Sequence, residues 1–303
     1  MDSRGWRIDP LEHEKGEQGY SAGGNDEKQG PTEEPIEPAV QAFETILSIM
    51  PTPKSLAAEV QNWCARNADA SQAQKYARYF KEGYDAWGFL DPKHPFFTEH
   101  ETRWFEANRK LGLEGFLKAG AILFSSWKYE EGALAIRFVK RLRDELGEEH
   151  LGGLAKWFEA GIGNWAHTDV LCWELLAPCL ANGQIEWRAL APWRQSKLKY
   201  QRRAVPVALL GLLKVEHDVA ALLEFVRPMM HDEERVVHQG LGWFLREAWK
   251  LHPKPVEKFM FEHKDTAARL IFQYATEKMT AAERSRFKSA APVKRAKAAK
   301  RAR

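Results

Sequence analysis

From Pro38 to about residue 287 the chain repeats one pattern: apolar side chains recur every three to four positions over a dozen residues or more, and Pro, Gly or Asp separates each run from the next. That period belongs to amphipathic helices. Segments such as SLAAEVQNWCARNA, SQAQKYARYFKEGYDAW, YEEGALAIRFVKRLRDEL, KLKYQRRAVPVALLGLLK and DEERVVHQGLGWFLREAWKL all carry it, and no stretch alternates as a strand or closes as a hairpin. The expected fold class is all-α. TEHETRWFEANRKL is expected to open its helix on a Thr98 cap, with Glu101 three residues on. The preceding GFLDPKHPFFTE is expected to be a loop.

Thirty-eight residues separate Trp165 from Arg203, and 40 separate Arg203 from Trp243. Those intervals lie near the ~40 to 47 residues of HEAT and armadillo units, in which helical hairpins stack into a solenoid with a concave groove. On that reading Trp165 with Asp169, Arg203, and Trp243 occupy equivalent rungs. No shift of composition divides the run, so one domain is expected over residues 38–287. Residues 1–37, rich in Gly, Glu and Pro without a sustained period, are expected to be disordered. Residues 288–303 form a Lys/Arg/Ala tail that either follows a phosphate backbone or is merely solvated.

Composition narrows the function. The chain is 44% hydrophobic, enough for a sizeable core, yet no apolar run reaches the ~18 residues of a membrane span and the N-terminus lacks a signal-peptide pattern. A monomer in the cytoplasm, with no membrane partner, is the expectation. Cys64, Cys172 and Cys179 read as buried free thiols. The histidines do not form HExxH, and there is no GxSxG, Walker A or GxGxxG, so neither metal nor organic cofactor is expected.

Trp165 and Asp169 stand four apart at the head of an apolar run, which puts an indole and a carboxylate on one helix face. A carboxylate beside a large aromatic needs a cation, either a resident arginine or a ligand. Bland readings remain for each residue. A tryptophan in a helical repeat is often core, an aspartate near a helix start favours the dipole, and Arg202 and Arg203 could pair with Glu233 or Glu234.

Four segments, ARYFKEGYDAWGF, NWAHTDVLCWELL, YQRRAVPVALL and VVHQGLGWFLREAWKLHP, together resemble the DNA alkylation repair family, the AlkD-type HEAT-repeat glycosylases. The resemblance spans roughly Ser71 to Glu277. It is most specific at Gly242, Trp243, Leu245, Arg246 and Glu247, while Asn164 and His167 depart from the family's tryptophan and aspartate. It implies hydrolysis of the N-glycosidic bond of cationic alkylpurines, chiefly 3-methyladenine and 7-methylguanine, in double-stranded DNA without base flipping. Asp169 is then the catalytic carboxylate, Trp165 and Trp243 the groove tryptophans, and Arg203 the active-site arginine, with Arg202 the alternative one register away. Tyr79 matches the family's early tyrosine. Lys128, Arg194, Lys197, Lys199, Arg202 and Arg246 are further cations for phosphates. Two other readings stay open: a DNA-structure-binding member without catalysis, and a protein-interaction scaffold.

Overall fold

The computed structural model describes residues 50–77, 85–88, 95–215 and 218–288. The apolar run AVQAFETILSIM as far as residue 49, Tyr79, residues 1–37 expected to be disordered, and the basic tail of 288–303 beyond Lys288 lie outside the described residues. Among the described residues there is no strand, only an isolated parallel bridge between Asp85 and Lys128.

Among the described residues fourteen α-helical segments follow one another: α1 (Pro53–Arg66), α2 (Ala70–Ala77), α3 (Pro95–Ala107), α4 (Gly112–Phe124), α5 (Tyr129–Lys140), α6 (Leu151–Ala160), α7 (Trp165–Leu171), α8 (Ala177–Ala181), α9 (Lys199–Ala208), α10 (Val219–Val226), α11 (Arg235–Leu251), α12 (Pro253–His263), α13 (Arg269–Ala275) and α14 (Ala281–Ser285). Helices α5, α7, α9, α11 and α13 pack side by side as one layer, each against the next. Helix α4 pairs with α5, α12 with α11, and a 3-10 helix at Trp187–Gln195 packs against α9, so the chain is an α-solenoid of helical hairpins. Between the layers run large buried side chains, among them Trp157, Phe138, Phe244 and Phe272.

The helices of that layer begin at residues 129, 165, 199, 235 and 269, a step of 34 to 36. This corrects the rung assignment drawn from spacing. Trp165 is the first residue of α7, Arg203 lies four residues into α9, and Trp243 lies eight residues into α11. The 38- and 40-residue intervals are one repeat plus one helical turn, and only Asp169 and Arg203, each four residues in, share a rung.

Local boundaries move for physical reasons. Helix α3 starts at Pro95, where proline's missing N–H costs nothing, rather than at a Thr98 cap. Glu101 therefore sits within the helix, 3% exposed, bonded to Arg137 at 2.8 Å and Arg141 at 2.7 Å. The run expected to be helical to Trp87 has left the helix by Asp85. There the backbone joins that of Trp127 and Tyr129, and the buried Glu130 accepts the N–H groups of Trp87 (2.8 Å) and Gly88 (2.7 Å). Gly88 turns at φ +102°, and a Cβ there would lie 2.0 Å from the carbonyl oxygen of Asp69. The three cysteines are free and buried. Burial raises the thiol pKa at each, to about 11 at Cys179 and well above the usual range at Cys172.

Candidate active site on helices α7, α9 and α11

Helix α7 begins where Asn164, in extended conformation (φ −145°, ψ 158°), turns its side-chain oxygen onto the His167 N–H at 2.8 Å. The rest of that first turn is locked below the surface. The Tyr129 carbonyl can only accept, so His167 Nε2 carries the proton donated to it at 2.8 Å, and Nδ1 accepts from the Asn164 amide at 3.1 Å. The imidazole stacks on Tyr129 with centroids 4.6 Å apart and meets Phe124 edge-on. Burial lowers its pKa to about 4, and it is neutral at physiological pH. Asn164 and His167 thus form a buried, fully paired cap that ties α7 to α5.

With the inward face fixed, Trp165 and Asp169 emerge together on the other side. Trp165 is 49% exposed. Asp169 receives a bidentate fork from Arg203, with Nε to Oδ1 at 2.8 Å and Nη2 to Oδ2 at 2.7 Å. The third arm of the fork, Nη1, donates to the Val236 carbonyl in the first turn of α11 at 2.8 Å. One guanidinium therefore ties three successive helices. Its side chain is 7% exposed against 18% for Asp169, so the carboxylate is the partner that reaches the surface. Burial pulls the Arg203 pKa down, but the charge and hydrogen bonds of Asp169 outweigh it and hold it above the usual arginine range. Room for this fork is made by Gly240 on α11, where a Cβ would stand 3.2 Å from Arg203 Cγ.

Trp243, on α11, is partly buried against the core. Tyr79 lies outside the described residues. Of the adjacent arginines, Arg203 meets Asp169. Arg202 is spent elsewhere, on Asp232 at 2.6 and 3.2 Å and on the Ser196 carbonyl at 2.7 Å. That partner is Asp232 rather than Glu233 or Glu234.

The other cations divide by what holds them. Arg194 donates to the Phe225 carbonyl and lies over that ring, while Arg246 bonds Glu247 and Glu277. Lys128 pairs with Asp85 and covers Trp87. Lys199 stands at the first position of α9, with Nζ 5.5 Å from the Tyr200 ring centroid. Lys197 is exposed. Among the described residues no three His, Cys, Asp or Glu side chains converge on a metal position.

Two exposed indoles near the pair escaped the sequence pattern. Trp173 is 45% exposed beneath the Lys214 ammonium, 3.9 Å from the ring centroid. Trp127 is 43% exposed at φ 56°, close against Gly163, where a Cβ would stand 2.8 Å from the ring. Trp173 lies in a π-turn and Trp127 in a loop.

The model of the DNA alkylation repair enzyme family matches residues 60–279. A solved structure described as a predicted DNA alkylation repair enzyme from Enterococcus faecalis superposes with a TM-score of 0.60 over 71% of this chain and 98% of that one, at 16% identity, a likeness of fold. No curated protein matches the chain. With the family model covering most of the sequence, the chain belongs to the DNA alkylation repair enzyme family.

Proposed function

We propose that this protein is an alkylpurine DNA glycosylase of the AlkD type, which hydrolyses the N-glycosidic bond of 3-methyladenine and 7-methylguanine in duplex DNA while the base stays in the helix. The observation that carries the reading is the Asp169–Arg203 fork opening beside the exposed Trp165.

Alkylation at N3 or N7 makes the purine cationic, so its departure needs little acid catalysis. As the C1′–N bond breaks, the bonding electrons neutralise the leaving purine and positive charge appears on the deoxyribose. A fixed carboxylate stabilises that charge most effectively when it is ionised and oriented beforehand, because no reorganisation is then needed at the transition state. Arg203 supplies both conditions for Asp169. It occupies one edge of the carboxylate, whose side chain keeps part of its surface exposed. Water then attacks C1′, loses a proton to solvent or to Asp169, and leaves an abasic sugar. Trp165, with Trp243 from α11, would contact the deoxyribose, adding ~0.5 to 2 kcal/mol of cation–π attraction as the sugar becomes cationic.

The test is release of 7-methylguanine from methylated duplex DNA. Release above the spontaneous rate by the wild type, with loss in Asp169→Asn, is expected. No release by the wild type overturns the glycosylase reading in favour of a DNA-binding member without catalysis. Full activity in Asp169→Asn overturns only the role of that residue.

A further inference from the structure

The helix that carries Trp165 and Asp169 does not continue as a regular α-helix. Residues Cys172–Leu176 form a π-turn before α8 resumes the run. A π-turn takes up one extra residue, and such insertions are frequent at functional sites. Eight positions on in a helix a residue is rotated by about 80° from the first, two steps of about 40°, and a π-turn that opens only at Cys172 leaves most of that offset in place at Trp173. Trp165, Asp169 and Trp173, at i, i+4 and i+8, thus follow one another along one broad helix face. Burial agrees: 165, 169 and 173 are exposed or half-buried, while 167, 168, 171, 172, 175 and 176 are buried.

The second observation is the cation. Lys214, in the 3-10 turn Leu209–Lys214 that continues α9, is exposed and places its ammonium 3.9 Å from the Trp173 centroid. Among the described residues no carboxylate pairs with Lys214, whereas Arg202, Arg203 and Arg246 are all committed to carboxylates. Asp169 lies between the two indoles, but Arg203 claims both of its oxygens, so its charge is offset where a phosphate would pass. Trp173 also lies eight residues into its helix, as Trp243 does in α11, so the two indoles hold the same position in their repeats.

We propose that Trp173 and Lys214 form a second nucleotide subsite, in which the indole packs on a deoxyribose and the ammonium holds a phosphate of the strand that occupies the Trp165–Asp169 site. The inference rests on the reading of this face as a DNA site. An aromatic plane with an adjacent cation is the recurring solution for gripping a nucleic-acid backbone without reading sequence. Trp165 and Trp173 are about 12 Å apart along the helix axis. With one charge per 3.4 Å of rise on each strand, the subsite engages a nucleotide about three to four positions from the lesion, on one side only.

The experiment uses the full chain and a duplex bearing a single tetrahydrofuran abasic-site analogue, either central in a long duplex or about two nucleotides from one end or the other. Variants Trp173→Ala, Trp173→Phe and Lys214→Ala are compared with wild type after circular dichroism and thermal melting establish that each is folded. On the long duplex Trp173→Ala and Lys214→Ala are expected to raise Kd about tenfold, with Trp173→Phe recovering most of the loss. Lys214→Ala should also reduce the slope of log K against log salt by about one. On the duplex shortened at the subsite's side, wild type and variants should bind alike. Equal binding of all variants to the long duplex, an equal loss on every truncated duplex, or no duplex binding by the wild type overturns the subsite. If wild type binds and Trp173→Ala shows the length-dependent loss while no methylated base is released, the glycosylase reading fails and the subsite stands.

Discussion

Removing both members of the Asp169–Arg203 pair should cost less than the sum of removing each alone. The Arg203 side chain is 7% exposed and makes three charge-assisted bonds, two of them to Asp169. Asp169→Ala leaves that guanidinium buried with only the Val236 carbonyl, and breaking a buried pair in this way costs about 3 to 5 kcal/mol. Arg203→Met leaves Asp169 at a position already 18% exposed, where water can reach it, and loses about 1 to 3 kcal/mol. In the double variant neither charge is stranded, so its loss should fall below the sum of the single losses by about 2 kcal/mol or more. Guanidinium unfolding followed by tryptophan fluorescence measures all four proteins. In thermal melts Asp169→Ala should fall by roughly 6 to 20 °C, at about 2 to 4 °C per kcal/mol for a chain of this size. Asp169→Ala within about 0.5 kcal/mol of wild type, or strict additivity in the cycle, would refute the claim that Arg203 depends on Asp169 for its burial. Because the same variant is expected to lose base release, activity belongs at a temperature well below its melting point.

Three more expectations follow from the same geometry. His167 has a folded pKa of about 4 against an ordinary 6.5, so the folded state binds fewer protons than the unfolded one between those values. Its contribution is fully present above pH 6.5 and is lost as pH falls toward 4, by about 3 kcal/mol in all; His167→Gln should flatten the pH dependence of unfolding in that window, and an unchanged slope would contradict the assignment. Gly242→Ala would put a Cβ 2.5 Å from Tyr274 Cβ and 2.7 Å from the Ile271 carbonyl oxygen, forcing α11 away from α13. Despite alanine's better helix propensity it should lose about 1 to 3 kcal/mol in denaturant unfolding, and a gain in stability would show that the two helices are free to separate. Deleting residues 288–303 should flatten the salt dependence of duplex binding; an identical slope would mean that the tail contacts no phosphate.

What the sequence determined by itself was local. The 3.6-residue period is imposed by the backbone of each segment, so the all-α class and most helices from α4 to α13 could be read from it. The buried thiols followed from their apolar surroundings, and the four matching segments pointed to the family. Tertiary structure decided which residues share a rung. Spacing suggested a 38- to 40-residue repeat, but the layer advances by 34 to 36, and the difference is one helical turn that only the stacking of α7, α9 and α11 reveals. It also decided partners: Arg202 and Arg203 are adjacent with identical propensities, and the rotation of α9 sends one to Asp232 and the other to Asp169. Glu101 shows the same division, since a carboxylate three residues after a threonine reads as a cap until α3 begins at Pro95 and two arginines of α5 and its C-terminal end enclose it. Periodicity records which face of a helix is apolar. Register between helices, and the seating of Lys214 over Trp173, arise from packing between segments far apart in the chain, for which a local pattern carries no signal.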